Sequence, residues 1–109
     1  PVAPDLTRRL LTHAPGIPFQ GPVWTTDAIY RETPERIRHF RDRGAIAVDM
    51  ETSALLTVAH YRGIPAAGTH IITDRLGEAW TPAKGEDVAA AVERATRWVA
   101  EVAREVAGR

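Results

Sequence analysis

The sequence predicts an α/β fold with a partial parallel or mixed sheet flanked by helices, and three observations predict it. Ala45–Val48 is a continuous apolar run, the pattern of a strand buried on both faces, and Ala66–Ile72 reads as a second buried strand. Between them, Thr52 to Arg62 gathers Leu55, Leu56, Val58 and Ala59 on a wide apolar face and then meets Gly63 and Pro65, a helix stop. Strand, helix and strand in succession form the unit of parallel sheets, because the helix must cross back over the sheet before the next strand can start.

The remaining elements follow in order. Asp5 to His13 places Leu6, Leu10 and Leu11 at helical spacing, and Pro15, Gly16 and Pro18 end that pattern in a turn. After Gly21-Pro22, the stretch Val23 to Tyr30 mixes β-branched and aromatic residues, which suits a strand that frays into a loop near Asp27. Thr33, Pro34 and Glu35 supply a cap, a proline at the first helical position and an early negative charge, so a short helix runs from there to Gly44, with Ile37 and Phe40 as its apolar stripe. Gly77 to Lys84 reads as a loop holding Trp80 and Pro82. A long last helix follows, with Val88, Val92, Ala95, Val99, Val102 and Val106 on the face that covers the sheet.

At 109 residues the chain has room for one domain with one core, and no repeat, low-complexity tract or linker divides it. Fourteen basic side chains balance fourteen acidic ones, so bulk charge draws the molecule neither to nucleic acid nor to an anionic membrane, and no apolar run is long enough to span one. The absence of cysteine excludes disulfides, thiolate metal sites and a cysteine nucleophile, and fits a cytoplasmic setting. His13, His39, His60 and His70 lack metal-ligand spacing with carboxylates, so no metal is expected.

Chemistry is concentrated where the apolar runs stop. Asp49-Met50-Glu51 follows the first buried strand, Thr73-Asp74-Arg75 follows the second, and Thr25-Thr26-Asp27 ends the earlier one. Carboxyl ends of strands are the edge at which open α/β sheets place ligands.

Three of these segments resemble the purine nucleoside phosphorylase/uridine phosphorylase superfamily. Val48-Asp49-Met50-Glu51-Thr52-Ser53-Ala54-Leu55 is similar to the Met-Glu signature that holds ribose, Thr25-Thr26-Asp27-Ala28-Ile29-Tyr30 to the base-pocket segment, and Ile71-Ile72-Thr73-Asp74-Arg75 to the strand end that carries the catalytic acid. The resemblance runs from about Trp24 to Leu76 and, by helix placement, through Gly108. It implies that Met50 packs on the sugar and that Glu51 accepts hydrogen bonds from ribose hydroxyls, roles that suit an adaptable thioether and a carboxylate with two oxygens. It further implies that Asp49, Thr26, Ile29, Tyr30 and Arg75 belong to the substrate site, with Ile29 standing where relatives often carry an aromatic residue.

Asp74 is then the candidate catalytic acid, since a carboxyl near purine N7 stabilises the charge left on a departing base. A Gln/Arg base-reading pair, as in pyrimidine-acting relatives, does not occur between Arg31 and Arg38, which favours a purine. The implied activity is cleavage of an N-glycosidic bond with phosphate as co-substrate and no cofactor, or with water as in the nucleosidases. The glycine-rich phosphate loops of the superfamily's first half have no equivalent here. The expectation is therefore a single phosphorylase-like domain over residues 1–109 without its phosphate-binding half: an enzyme if complete, otherwise a non-catalytic nucleoside-binding or assembly domain. A partial sheet leaves edges and apolar faces open, so a homo-oligomer or a complementing chain is expected to cover them.

Each residue also has a plainer role. Glu51 and Asp49 suit a helix N-terminus electrostatically, Met50 suits a core, and Asp74 suits a turn. The arginines from Arg31 to Arg43 alternate with Glu32, Glu35 and Asp42, which reads as a solvated helix face before it reads as a phosphate patch. Trp24, Trp80 and Trp98 read as packing residues, with Trp80 also able to line a pocket from its loop.

Overall fold

A computed structural model describes residues 2–77 and 79–108. Within it the chain is α/β and forms two compact units, one of Phe19–Ala66 and one of Val2–Pro18 with Ala67–Arg109.

In the Phe19–Ala66 unit, strand β1 (Val23–Thr25) pairs in parallel with β2 (Ala47–Asp49), in the register Val23 to Ala47, Trp24 to Val48 and Thr25 to Asp49. A 3-10 turn at Ile29–Arg31 and helix α2 (Pro34–Arg41) form the crossover, and α3 (Thr52–Tyr61) follows β2 directly. The hydroxyl of Thr33 caps α2 by accepting from the Arg36 amide at 3.4 Å, as the Thr-Pro-Glu start predicts.

Both helices stop in the same way. Gly44 (φ +86°) and Gly63 (φ +65°) take the left-handed conformation that side chains resist. The amides of Ala45 and Ile64 then reach back to the carbonyls of Phe40 and Ala59 at 3.0 and 2.9 Å, while Gly44 and Gly63 donate to Arg41 and His60. These paired bonds satisfy carbonyls that a helix end would otherwise leave open. The core of this unit is Trp24, 7% exposed and stacked on Phe40 with ring centroids 4.4 Å apart.

In the other unit, β3 (Asp74–Leu76) and β4 (Trp80–Pro82) pair antiparallel, and α1 (Pro4–Thr12) docks on the 23-residue α4 (Gly85–Ala107). Trp98 Nε1 donates to the Leu10 carbonyl at 2.7 Å, Arg9 pairs with Glu105, and the His13 ring lies 3.3 Å from Glu101 and 2.7 Å from Glu105. A hydrogen bond from Arg9 holds the Asp5 carboxyl below its ordinary value. That contribution is complete above the unfolded carboxylate range and is lost as pH falls through the lowered value.

Four expectations are corrected. Ala66–Ile72 joins no sheet among the described residues; its β-branched Thr69, Ile71 and Ile72 favour extended backbone, but a strand also needs a neighbour's ladder, and β2 pairs with β1. The Gly77–Lys84 segment, whose Glu78 lies outside the described residues, contains β4 instead of being wholly loop. The Ala45–Val48 run is not buried on both faces: Ile46 is exposed and β2 half-buried, since β1 alone lies beside β2 among the described strands. On α4, Val92, Val99 and Val106 face solvent. The stripe turned inward is Val88, Ala91, Ala95, Trp98 and Val102, centred on the Trp98 contact with α1.

Candidate functional site

In the Phe19–Ala66 unit, β1 and β2 end together at Thr25 and Asp49, and the Thr26 amide extends the pairing by donating to the Asp49 carbonyl at 2.8 Å. The Asp49 carboxylate ties this point together. One oxygen accepts from the Thr25 hydroxyl at 2.7 Å, and the other accepts from the Thr52 amide at 3.3 Å and from the Thr52 hydroxyl. Thr25 Oγ1 in turn accepts from the Ser53 amide at 3.1 Å. Two of the open amides at the start of α3 are thus satisfied by residues on the strands, although the residue at its cap position, Glu51, makes no capping bond.

Asp49 therefore acts within the protein, joining both strand ends to the helix. Thr25, Thr52 and Ser53 complete that network, and their signal in the sequence is the pair of polar runs that follow β1 and β2. Asp49→Ala is expected to cost about 2 kcal/mol, since it strips a charged acceptor from half-buried donors, and Asp49→Asn about half as much. Urea unfolding followed by tryptophan fluorescence measures both. Midpoints equal to that of the parent chain would remove Asp49 from this role.

The network holds Met50 and Glu51 at the exposed lip of β2. Met50 is 48% exposed, and one Glu51 oxygen accepts from the Met50 amide at 3.2 Å, with the other unengaged in the described contacts. Ile29 and Tyr30 lie on the 3-10 turn beyond β1, both largely exposed. Thr26 is buried, and its hydroxyl donates to the Ala28 carbonyl at 3.3 Å, so it shapes this turn from beneath.

The other unit carries Asp74 and Arg75. Asp74 opens β3, with its oxygens accepting from the Thr73 hydroxyl at 2.9 Å and from Trp80 Nε1 at 2.6 Å. The register that sets Leu76 beside Trp80 and Asp74 beside Pro82 makes Asp74 and Trp80 diagonal neighbours on one face. Side chains alternate along a strand, so Arg75 projects from the opposite face; Trp80, not Arg75, holds the Asp74 carboxylate. Among the described residues, no three His, Asp or Glu side chains gather as a metal site requires. No helix among them is long and apolar enough to cross a membrane.

Comparison with known proteins follows the same lines. A stretch of 56 residues is 38% identical to a DeoD-type purine nucleoside phosphorylase of Bacillus cereus, covering 51% of this chain and 24% of that protein. The same length, identity and coverage are found against the DeoD-type enzymes of Bacillus thuringiensis (strain Al Hakam) and Bacillus mycoides (strain KBAB4). The aligned stretch thus spans about a quarter of the relatives it matches. No solved structure matches the chain significantly. The family model of the phosphorylase superfamily matches residues 1–107, nearly the whole sequence, and the chain belongs to that superfamily.

Proposed function

We propose that the chain binds a nucleoside, with a purine preferred, and that in a complete assembly it serves phosphorolytic cleavage of the N-glycosidic bond. The observation that carries the reading is the Met50-Glu51 lip. A carboxylate with one oxygen unengaged among the described contacts and an exposed thioether stand at the carboxyl end of a parallel strand, locked there by Asp49. Glu51 accepts from the ribose hydroxyls, Met50 packs on the sugar, and Ile29 and Tyr30 flank the base. As the glycosidic bond breaks, its electron pair leaves with the base. Asp74 stabilises that charge at the purine by hydrogen bonding or proton donation, while Thr73 and Trp80 hold its carboxyl in place. Arg75 offers an exposed cation for phosphate, the co-substrate. The relatives' names, purine nucleoside phosphorylases, support the choice of base.

The reading includes association with a second copy or a complementing chain, and a cytoplasmic setting. Leu55 and Val58 on α3 and Ile64 after it are more than half exposed, and among the described residues the parallel sheet has two strands where a stable one needs more. A second reading is nucleoside binding without turnover, for which the exposed Met50-Glu51 lip suffices by itself.

Calorimetric titration with inosine, adenosine and uridine, each with and without phosphate, tests both readings, with products analysed by chromatography and mass by light scattering on the same samples. Purine nucleoside binding with phosphate-dependent release of base is expected of the first, and binding alone of the second. Absence of binding by any nucleoside would overturn both, and a stable monomer at micromolar concentration would overturn the association.

A further inference from the structure

The arginines between Arg31 and Arg43 are all exposed, as a solvated face requires, but they differ in their partners. Arg31 pairs with Asp27 at 3.2 Å and Arg38 with Glu35 at 3.8 Å. Arg36 and Arg43 have no carboxylate partner among the described ion pairs, and both line one open cleft of about 340 Å³ between α2 and the start of β1. Val23, Trp24, Phe40 and Ala45 form its apolar wall.

Each guanidinium is held by other means. Arg36 lies over the Trp24 and Phe40 rings, 5.6 and 5.9 Å from their centroids. A guanidinium within about 6 Å of an aromatic centroid is attracted by the ring without spending an N–H donor on it. Arg43 spends one nitrogen on His39, donating to its carbonyl at 3.0 Å beside ring Nδ1 at 3.0 Å, which anchors the side chain without neutralising it. The cleft thus combines two guanidinium groups, neither in a described ion pair with a carboxylate, with an apolar wall, and its volume is within the range of small-molecule sites.

We infer that this cleft, formed by Trp24, Phe40, Arg36 and Arg43, binds an organic oxyanion: a carboxylate or phosphate ester with a compact apolar body. The oxyanion takes the guanidinium forks, and the body lies along Val23, Trp24 and Ala45. The site is separate from the Met50-Glu51 lip and does not depend on the nucleoside reading.

Calorimetric titration of the full chain with phenyl phosphate, benzoate, inorganic phosphate and benzyl alcohol tests it. Phenyl phosphate and benzoate are expected to bind with millimolar affinity, and benzyl alcohol at least about tenfold more weakly, because charged hydrogen bonds supply the difference. The relative affinities of phenyl phosphate and benzoate identify the preferred head group. Inorganic phosphate is expected to bind more weakly than phenyl phosphate, because it lacks the apolar body.

Arg36→Ala and Arg43→Ala are each expected to weaken phenyl phosphate about tenfold with circular dichroism unchanged, and Arg36→Lys to recover part of the loss. Glu51→Ala is expected to leave it unchanged, which separates this site from the proposed nucleoside site. Parent-like binding by both arginine variants, equal binding of phenyl phosphate and benzyl alcohol, or no saturable binding of any probe would overturn the inference.

Discussion

Trp24→Ala is expected to unfold the Phe19–Ala66 unit or leave it at the edge of unfolding at room temperature. Among the described residues, Trp24 and Val102 are the buried apolar side chains, and Trp24 is the one in this unit. Its ring carries the stack with Phe40 and supports Arg36, and its backbone is the centre of the β1–β2 register. Truncating a buried aromatic costs about 3–5 kcal/mol, against about 5–15 kcal/mol for the total stability of a typical domain. A unit with so little else buried has a margin near the low end. Trp24→Phe keeps an aromatic face against Phe40 and is expected to lose about 1–2 kcal/mol. Urea unfolding followed by far-ultraviolet circular dichroism measures both. Equal midpoints for the parent chain and Trp24→Ala would show that the stack does not hold the unit.

The second large effect is on the proposed chemistry. Asp74→Asn keeps the size of the side chain, with its amide oxygen able to accept from Trp80 Nε1 and its NH2 to donate to the Thr73 hydroxyl oxygen, but it loses the carboxyl's charge and proton. Cleavage is expected to fall about 10²- to 10⁴-fold, with nucleoside binding within a few-fold of the parent chain. Glu51→Ala is expected to do the opposite first, costing about 1.5–3 kcal/mol of binding, roughly ten- to a hundredfold in Kd, because it removes a charged acceptor from the ribose hydroxyls. Calorimetry gives the affinities, and chromatography of released base gives the rate. If neither change affects binding or cleavage, the assignment of both residues fails. If Glu51→Ala weakens binding where no turnover occurs, the non-catalytic reading stands and the ribose assignment survives.

Much of the local structure was legible in the residues. Thr33-Pro34-Glu35 marked the start of α2, Gly44 and Gly63 marked where α2 and α3 stop, and Ala45–Val48 leading into Asp49 marked the strand whose end carries polar groups. These features close within a few residues: a cap spans three positions, and the bonds from Ala45 to Phe40 and from Ile64 to Ala59 span five. Neighbouring residues alone can specify them. The family resemblance was legible for the same reason, because Val48 to Leu55 is one continuous stretch crossing from strand into helix.

Tertiary structure decided what depends on distant partners. Asp49 resembled a substrate ligand, but its oxygens are taken by Thr52 and by Thr25, which is 24 positions away. The residues around Trp80 read as a loop, yet pairing of β4 with β3 brings its indole N–H to Asp74. The face that α4 buries follows from Trp98 reaching Leu10, 88 positions away, and not from the valine spacing alone. The arginines alternate with acids along the chain, but only folding sets Arg36 beside Trp24 and Phe40. The sequence by itself determined where helices begin and end, which run forms a strand, and which polar residues stand at its tip. Only folding decided which strands pair and which carboxylate oxygens remain available, since a ladder or a side-chain hydrogen bond exists only when a remote partner arrives.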